Sequence, residues 1–341
     1  MTNCTQRVHT NITRAIATCA IMSFTLQGAC VGDTKSESES GAVGARSATG
    51  AGSGARTFTV AATEVAVGRS HDCWLARATG GVLCRGSNSH GQLGRGGAVG
   101  GDDPVPAPVA SAEWFVSVTA GALHTCALTD EGHVYCWGQG LGGAPGSTLP
   151  QRVSSFTAIQ VTSGTDHVCA IRQDRRAVCW GAGTDGQLGN GSSVDQPGPV
   201  LVVDSLETQH RFLKLDAGPR ATCGIRTTND VVCWGANDGK QLVDSMSPAF
   251  NVPVDFGDDA VDVAVGNEHT CVLRFDSRIG CRGNPTEGRL GSFAIADFLL
   301  EGTTAPPASL TAGDDHTCAS TNAGSTYCWG ANDQGQLGHA G

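Results

Sequence analysis

The chain has 341 residues, 48 of them glycine, and only 5% are aromatic. Glycine-rich sequence with short apolar runs, and no 3.6-residue apolar stripe after residue 30, argues against a helical bundle and for many short strands. A formal net charge of -10 and a pI of about 5.4 set the surface against nucleic-acid phosphates and anionic lipid.

The N-terminus reads as a targeting segment. Arg7 and Arg14 flank an otherwise uncharged start, no acidic residue precedes Asp33, and Ala15 to Leu26 is an apolar run. A run of about a dozen residues has the length of a signal-peptide core and is short for a bilayer span. In Leu26-Gln27-Gly28-Ala29-Cys30, small residues precede a cysteine. This resembles a bacterial lipoprotein cleavage site with Cys30 as the lipidated first residue, although Gln27 departs from the usual pattern. Residues 1–29 are therefore expected to be a signal peptide. Residues 30–57, rich in Ser, Gly, Ala, Glu and Thr, are expected to be a flexible tether. Residues 58–341 are expected to form the folded domain.

Within that domain one phrase returns six times. It opens on Gly68, Gly121, Gly164, Gly218, Gly266 and Gly313, at intervals of 53, 43, 54, 48 and 47 residues. A repeat of this period indicates a circular or stacked array. Each copy carries a cysteine pair: Cys73 with Cys84, Cys126 with Cys136, Cys169 with Cys179, Cys223 with Cys233, Cys271 with Cys281, and Cys318 with Cys328. Five copies place a histidine before the first cysteine, His71, His124, His167, His269 and His316, and the fourth has Ala221 there. A Gly-Gln-Leu-Gly tail follows at residues 91–94, 186–189 and 335–338, with Gly288-Arg289-Leu290-Gly291 and Lys240-Gln241-Leu242 as weaker forms.

The cysteine pairs are expected to be disulfides. His124 to Leu128 and His133 to Trp137 read as strands, and Thr129-Asp130-Glu131-Gly132 between them has turn chemistry. A hairpin about Glu131 sets Cys126 opposite Cys136, within bridging distance at a non-hydrogen-bonded pair. Of 15 cysteines, twelve fall in the pairs, Cys4 and Cys19 lie in the leader, and Cys30 is the lipidation candidate, so no odd thiol remains. That balance suits an oxidising, extracytoplasmic compartment. Structural zinc uses cysteines two to four residues apart, a spacing absent here.

The run Cys328-Trp329-Gly330-Ala331-Asn332-Asp333-Gln334-Gly335-Gln336-Leu337-Gly338 resembles the repeat of the regulator of chromosome condensation family. The similarity covers residues about 58–341. The resemblance implies an all-β β-propeller with one four-stranded blade per repeat. Six blades are expected, with seven as the fallback, since seven is the family's common count. A short proline-containing strand follows most tails, and Thr57-Phe58-Thr59-Val60 is expected to complete the last blade. Trp137, Trp180, Trp234 and Trp329 recur at one position, where Arg85 and Arg282 stand in the first and fifth copies. They are expected to pack between blades and bond through the indole N–H, and the histidines to bond locally.

No nucleophile elbow, phosphate loop or His-Glu-x-x-His occurs in convincing context, so the chain is read as no enzyme, with no cofactor and no metal. The acid pairs Asp102-Asp103, Asp258-Asp259 and Asp314-Asp315, and the loop Asn237-Asp238-Gly239, are read as solvated loops rather than calcium sites. Candidate interface anchors are Trp114, Phe115, His210, Arg211, Phe212, Phe293, Phe298, Leu299 and Leu300, each of which also fits a buried strand. The expected function is an exported, lipid-anchored, monomeric scaffold that engages a protein partner at the cell envelope, touches the membrane through its lipid only and binds no nucleic acid. The family parallels include a nuclear guanine-nucleotide exchange factor and secreted β-lactamase inhibitors. The alternatives are a glycan- or peptide-directed lectin or enzyme, or an inhibitor of an envelope enzyme.

Overall fold

The computed structural model describes residues 62–338 apart from 77, 154–155, 204–209, 258 and 292–304. The leader, the tether, Cys30 and the expected closing strand Thr57–Val60 lie outside the described residues.

Alternating short apolar runs punctuated by glycine fold into six antiparallel sheets, one per repeat. The first blade is β1 (Ala62–Val67), β2 (His71–Ala76), β3 (Gly81–Ser87) and β4 (Asp102–Pro108). The second is β5 (Phe115–Ala120), β6 (His124–Thr129), β7 (Val134–Gly138) and β8 (Ser147–Arg152), and the third is β9 (Ala158–Ser163), β10 (His167–Arg172), β11 (Ala177–Gly181) and β12 (Gln196–Leu201). The fourth is β13 (Phe212–Ala217), β14 (Ala221–Arg226), β15 (Val231–Ala236) and β16 (Ala249–Gly257). Among the described residues the fifth and sixth blades have three strands each: β17 (Ala260–Val265), β18 (His269–Arg274) and β19 (Ile279–Gly283), then β20 (Pro307–Ala312), β21 (His316–Thr321) and β22 (Thr326–Gly330). The result is a six-bladed β-propeller. Prolines such as Pro104, Pro150, Pro197 and Pro253 sit on the outermost strands, where a missing N–H leaves the edge less able to pair.

Every cysteine pair stands directly opposite across the second and third strands, with Cα atoms 4.1 Å apart, and each is joined by a disulfide. Cys73 faces Cys84, Cys126 faces Cys136, and Cys169 faces Cys179. Cys223 faces Cys233, Cys271 faces Cys281, and Cys318 faces Cys328. Five of the bridges, all but Cys318–Cys328, belong to the cores between blades. Val118 of the second blade is buried with Cys73, Leu75, Val82 and Cys84 of the first. Leu215 of the fourth is buried with Cys169, Ile171 and Cys179 of the third. Val263 of the fifth is buried with Cys223, Ile225 and Cys233 of the fourth. Leu310 of the sixth is buried with Cys271, Leu273 and Ile279 of the fifth, and half-buried Cys281 packs against that cluster.

The residue in this inner-strand position is 1% to 7% exposed in five blades, whereas Val65 of the first is 44% exposed. The tail of the sixth blade is uncovered too. An added Cβ on Gly94 or Gly189 would meet the Trp137 or Trp234 ring at 2.7 or 2.8 Å, but one on Gly335 or Gly338 would meet nothing. The face between the sixth and first blades is thus the open one among the described residues.

Polar clasps reinforce three of the interfaces. His71 Nε2 lies 2.8 Å from Thr125 Oγ1, which donates to the Gln92 carbonyl at 2.9 Å, and Trp137 Nε1 donates to the same carbonyl at 2.9 Å. The threonine hydroxyl has one proton, and Gln92 receives it, which assigns His71 as the donor, protonated at Nε2. The third and fourth blades repeat this arrangement through His167, Thr222, Gln187 and Trp234. The fifth and sixth use His269, Thr317, Trp329 and the Arg289 carbonyl. The histidines were expected to bond locally; His71, His167 and His269 instead reach a blade away, across 48 to 55 residues of sequence.

The intervening interfaces lack the clasp. Val168 holds the threonine position in the third blade, and buried His124 Nε2 has no hydrogen-bond partner. Ala221 holds the histidine position in the fourth blade, and buried Thr270 Oγ1 has none. Each blade therefore has one clasped neighbour, giving the pairs first–second, third–fourth and fifth–sixth.

Burial holds the imidazoles neutral. It lowers the pKa of His71, His167 and His269 to about 4 and of His124 to about 3. The inner strands carry the opposite case. Asp216 accepts from Val265 N at 2.7 Å, yet burial pushes its pKa up to about 6, and burial also raises Glu64.

Two outcomes follow under non-reducing conditions. Val168→Thr offers His124 a partner and raises stability in urea by about 1 kcal/mol, whereas Thr222→Val orphans buried His167 and lowers it by about 2 kcal/mol; equal effects of the two would contradict the clasp. For pH, a histidine whose folded pKa is depressed contributes stability in full above its unfolded value of 6.5, and that stability falls as pH drops toward 4. Each contributes a slope of about 1.4 kcal/mol per pH unit in that window. Asp216 and Glu64, with raised folded values, oppose this, but four histidines outweigh two acids. The urea midpoint is expected to fall between pH 6.5 and 5, and a flat or rising profile would exclude the neutral cluster.

Candidate functional site

The sequence-derived anchors divide by burial. Phe115 and Phe212 are buried, with ring centroids 6.3 and 6.0 Å from Trp137 and Trp234, so they belong to the blade cores. The residue ahead of each phenylalanine faces solvent. Trp114 is 49% exposed and lies over the turn at Gly80, where an added Cβ would meet its ring at 2.5 Å. Arg211 is exposed, and its Nη1 donates to the Asp174 carbonyl at 3.0 Å. Phe293, Phe298, Leu299 and Leu300 lie outside the described residues.

The acidic loops hold structural partners. Asp103 caps Val105 N at 3.0 Å and pairs with Arg95. Asp315 pairs with Arg289 at 3.0 Å, and Asp238 with Arg220 at 2.7 Å. Buried Asn237 accepts from Leu242 N at 2.9 Å and Val243 N at 3.2 Å, fastening its own loop. Among the described residues no group of three or more His, Cys, Asp or Glu is placed to hold a metal ion. No described helix is long and apolar enough to cross a membrane.

The blade ends present two different surfaces. On the end carrying the tails, acidic side chains surround the cations: Arg220 binds Asp185 and Asp238, and Arg289 binds Glu268, Glu287 and Asp315. The opposite end carries the turns between second and third strands. There Val116, Ile159, Leu213 and Val261 occupy the second position of four successive inner strands, each 41% to 44% exposed, as an apolar collar.

Beside that collar, the third blade's turn meets the entry of the fourth. Arg172 Nη2 and Arg176 Nε approach Asp174 at 3.4 and 3.8 Å, and Phe212 N donates to the Arg175 carbonyl at 2.7 Å. Arg226 pairs with Asp230 and Asp255, and its Nη1 lies 3.2 Å from His210 Nδ1. An open groove of about 570 Å³ is lined by His210, Arg211, Arg226, Thr227, Thr228 and Asp230. Sequence reasoning singled out His210 and Arg211 but missed the arginines that gather around them. Those come from different strands and a different blade, and only folding brings them together.

Comparison with known proteins agrees with this architecture. Models of the regulator of chromosome condensation (RCC1) repeat match residues 79–128, 115–143, 158–187, 178–225 and 308–336. The chain is 29% identical over 248 residues to the ultraviolet-B receptor UVR8 of Arabidopsis thaliana, covering 67% of this chain and 54% of the relative. It is 33% identical over 284 residues to the probable E3 ubiquitin-protein ligase HERC4 of Rattus norvegicus, covering 76% and 26%. The chain thus spans about half or less of the length of these relatives. Among solved structures, human WBSCR16 superposes with a TM-score of 0.70 at 22% identity, covering 80% of this chain and 78% of that one. Yeast RCC1 (Prp20) bound to Kap60 gives 0.69 at 22% identity, covering 81% and 71%. These structures share the fold. With its glycine-led copies and its interblade tryptophans, the chain carries repeats of the regulator of chromosome condensation (RCC1) family.

Proposed function

We propose that this propeller is an exported, lipid-anchored, non-enzymatic scaffold that engages a protein partner at the cell envelope. The observation that carries this reading is the disulfide in every blade. Paired cysteines at this density belong to an oxidising compartment. The leader supplies a route there, and Cys30 supplies an attachment point. Broad loop faces on a rigid array suit macromolecular partners better than small substrates. A family precedent is the yeast RCC1 structure with Kap60 bound.

The test is expression in a bacterial host with an alkyne fatty acid in the medium, followed by membrane fractionation and crosslinked affinity capture. The wild-type chain is expected to carry the label, to sediment with membranes with all paired cysteines oxidised, and to retain a defined protein partner. Cys30→Ser is expected to lose label and sedimentation. A cytoplasmic chain with free thiols, or turnover of a small molecule without any macromolecular partner, would overturn the reading.

A further inference from the structure

We propose that Arg172, Arg175, Arg176, Arg211 and Arg226 form a docking surface for an acidic peptide segment of a protein partner, an inference that rests on the scaffold reading. The chain as a whole carries a net charge of -10. In this patch, however, Arg172 and Arg176 pair with Asp174, Arg226 pairs with Asp230 and Asp255, and Arg175 and Arg211 add two further guanidiniums. The arginines form one connected surface. Asp174 receives Arg172 and Arg176 on its carboxylate and Arg211 on its carbonyl, while the Phe212 N–H bond to Arg175 holds that residue beside Arg211. Arg226 faces the same groove through His210.

Backbone conformation supplies an independent observation. Arg175 is exposed and sits at φ 69°, in the left-handed region. Glycine fills the same turn position in the first, second and sixth blades as Gly80, Gly132 and Gly324, and Asn229 and Ser277 fill it in the fourth and fifth. A long side chain there costs about 1 kcal/mol relative to glycine. The turn needs no arginine, so the side chain's contribution lies in the charge it presents at the surface. Arg211 is likewise not demanded by the fold, since Trp114, Thr157, Asp259 and Pro306 hold its position elsewhere.

The chemistry of the groove selects the ligand. Guanidinium forks bind carboxylates bidentately, and the exposed Thr227 and Thr228 hydroxyls suit a peptide backbone. Exposed Ile159 and Leu213 on the two adjoining inner strands add apolar surface for an aliphatic side chain. A long polyanion would meet the acidic remainder of the molecule, whereas a short Glu- or Asp-rich segment engages the patch alone.

The probe is a fluorescein-labelled peptide of alternating Glu and Leu, titrated into the full oxidised chain by anisotropy. A single-stranded RNA oligomer and phosphatidylglycerol vesicles serve as competing arms. Arg175→Gly keeps the turn and relieves its backbone, so the thermal midpoint should hold or rise while peptide affinity falls by about tenfold. Arg211→Thr copies the third blade and should act similarly, and the double variant should bind more weakly than either. Raising salt should weaken the wild-type complex. No peptide binding by the wild-type chain, unchanged affinity in the double variant, or tighter binding of RNA or vesicles than of peptide would overturn the proposal. Capture of the same envelope partner by wild type and double variant alike would sink the patch and leave the scaffold standing. Peptide binding with no envelope partner would sink the scaffold reading instead.

Discussion

A neutral imidazole held against a threonine one blade away is the contact on which this propeller's organisation depends. Blades meet through apolar faces, and apolar packing alone tolerates sliding. The chain from His71 through Thr125 to the Gln92 carbonyl fixes the register of one sheet against the next, because a hydroxyl with a single proton admits only one arrangement of donors. The indole N–H of Trp137 closes the same carbonyl, so the tail, the second strand and the third strand of two blades converge on one oxygen. The disulfide lies immediately beside this point, with Cys73 Sγ 3.9 Å from Thr125 Oγ1. Covalent staple and polar clasp thus occupy one interface.

Because the clasp skips alternate interfaces, the propeller has a two-blade period beneath its one-blade repeat. Phe115, Thr125 and Trp137 recur as Phe212, Thr222 and Trp234, each 97 residues on. The third and fifth blades carry Ala158 and Ala260 where the phenylalanines stand. At the other interfaces, His124 and Thr270 keep one half of the pair without its complement.

Much of this was legible in the sequence, and the unread part has a physical cause. Cysteine spacing and turn chemistry around Glu131 placed the hairpins and their facing sulfurs, since both are local properties of about a dozen residues. Recurrence of tryptophan placed the interblade packing. The histidine's partner was misjudged as local because its bonds depend on how consecutive sheets stack, which no single repeat encodes. Phe115 and Phe212 carried two meanings in sequence, anchor or core, and burial resolved both to core while leaving Trp114 and Arg211 outside. The arginine patch was legible only at Arg211, for the same reason as the clasp: its members lie on two blades, and the left-handed turn at Arg175, an arginine where three blades use glycine, emerges only in the fold.

Native-state hydrogen exchange followed by mass spectrometry tests the clasp most directly, because it resolves opening free energies segment by segment. The account predicts that the first and second blades open together, as do the third and fourth, with boundaries of cooperativity between the second and third blades and between the fourth and fifth. A single uniform unit, or boundaries between the first and second blades or between the third and fourth, would contradict it.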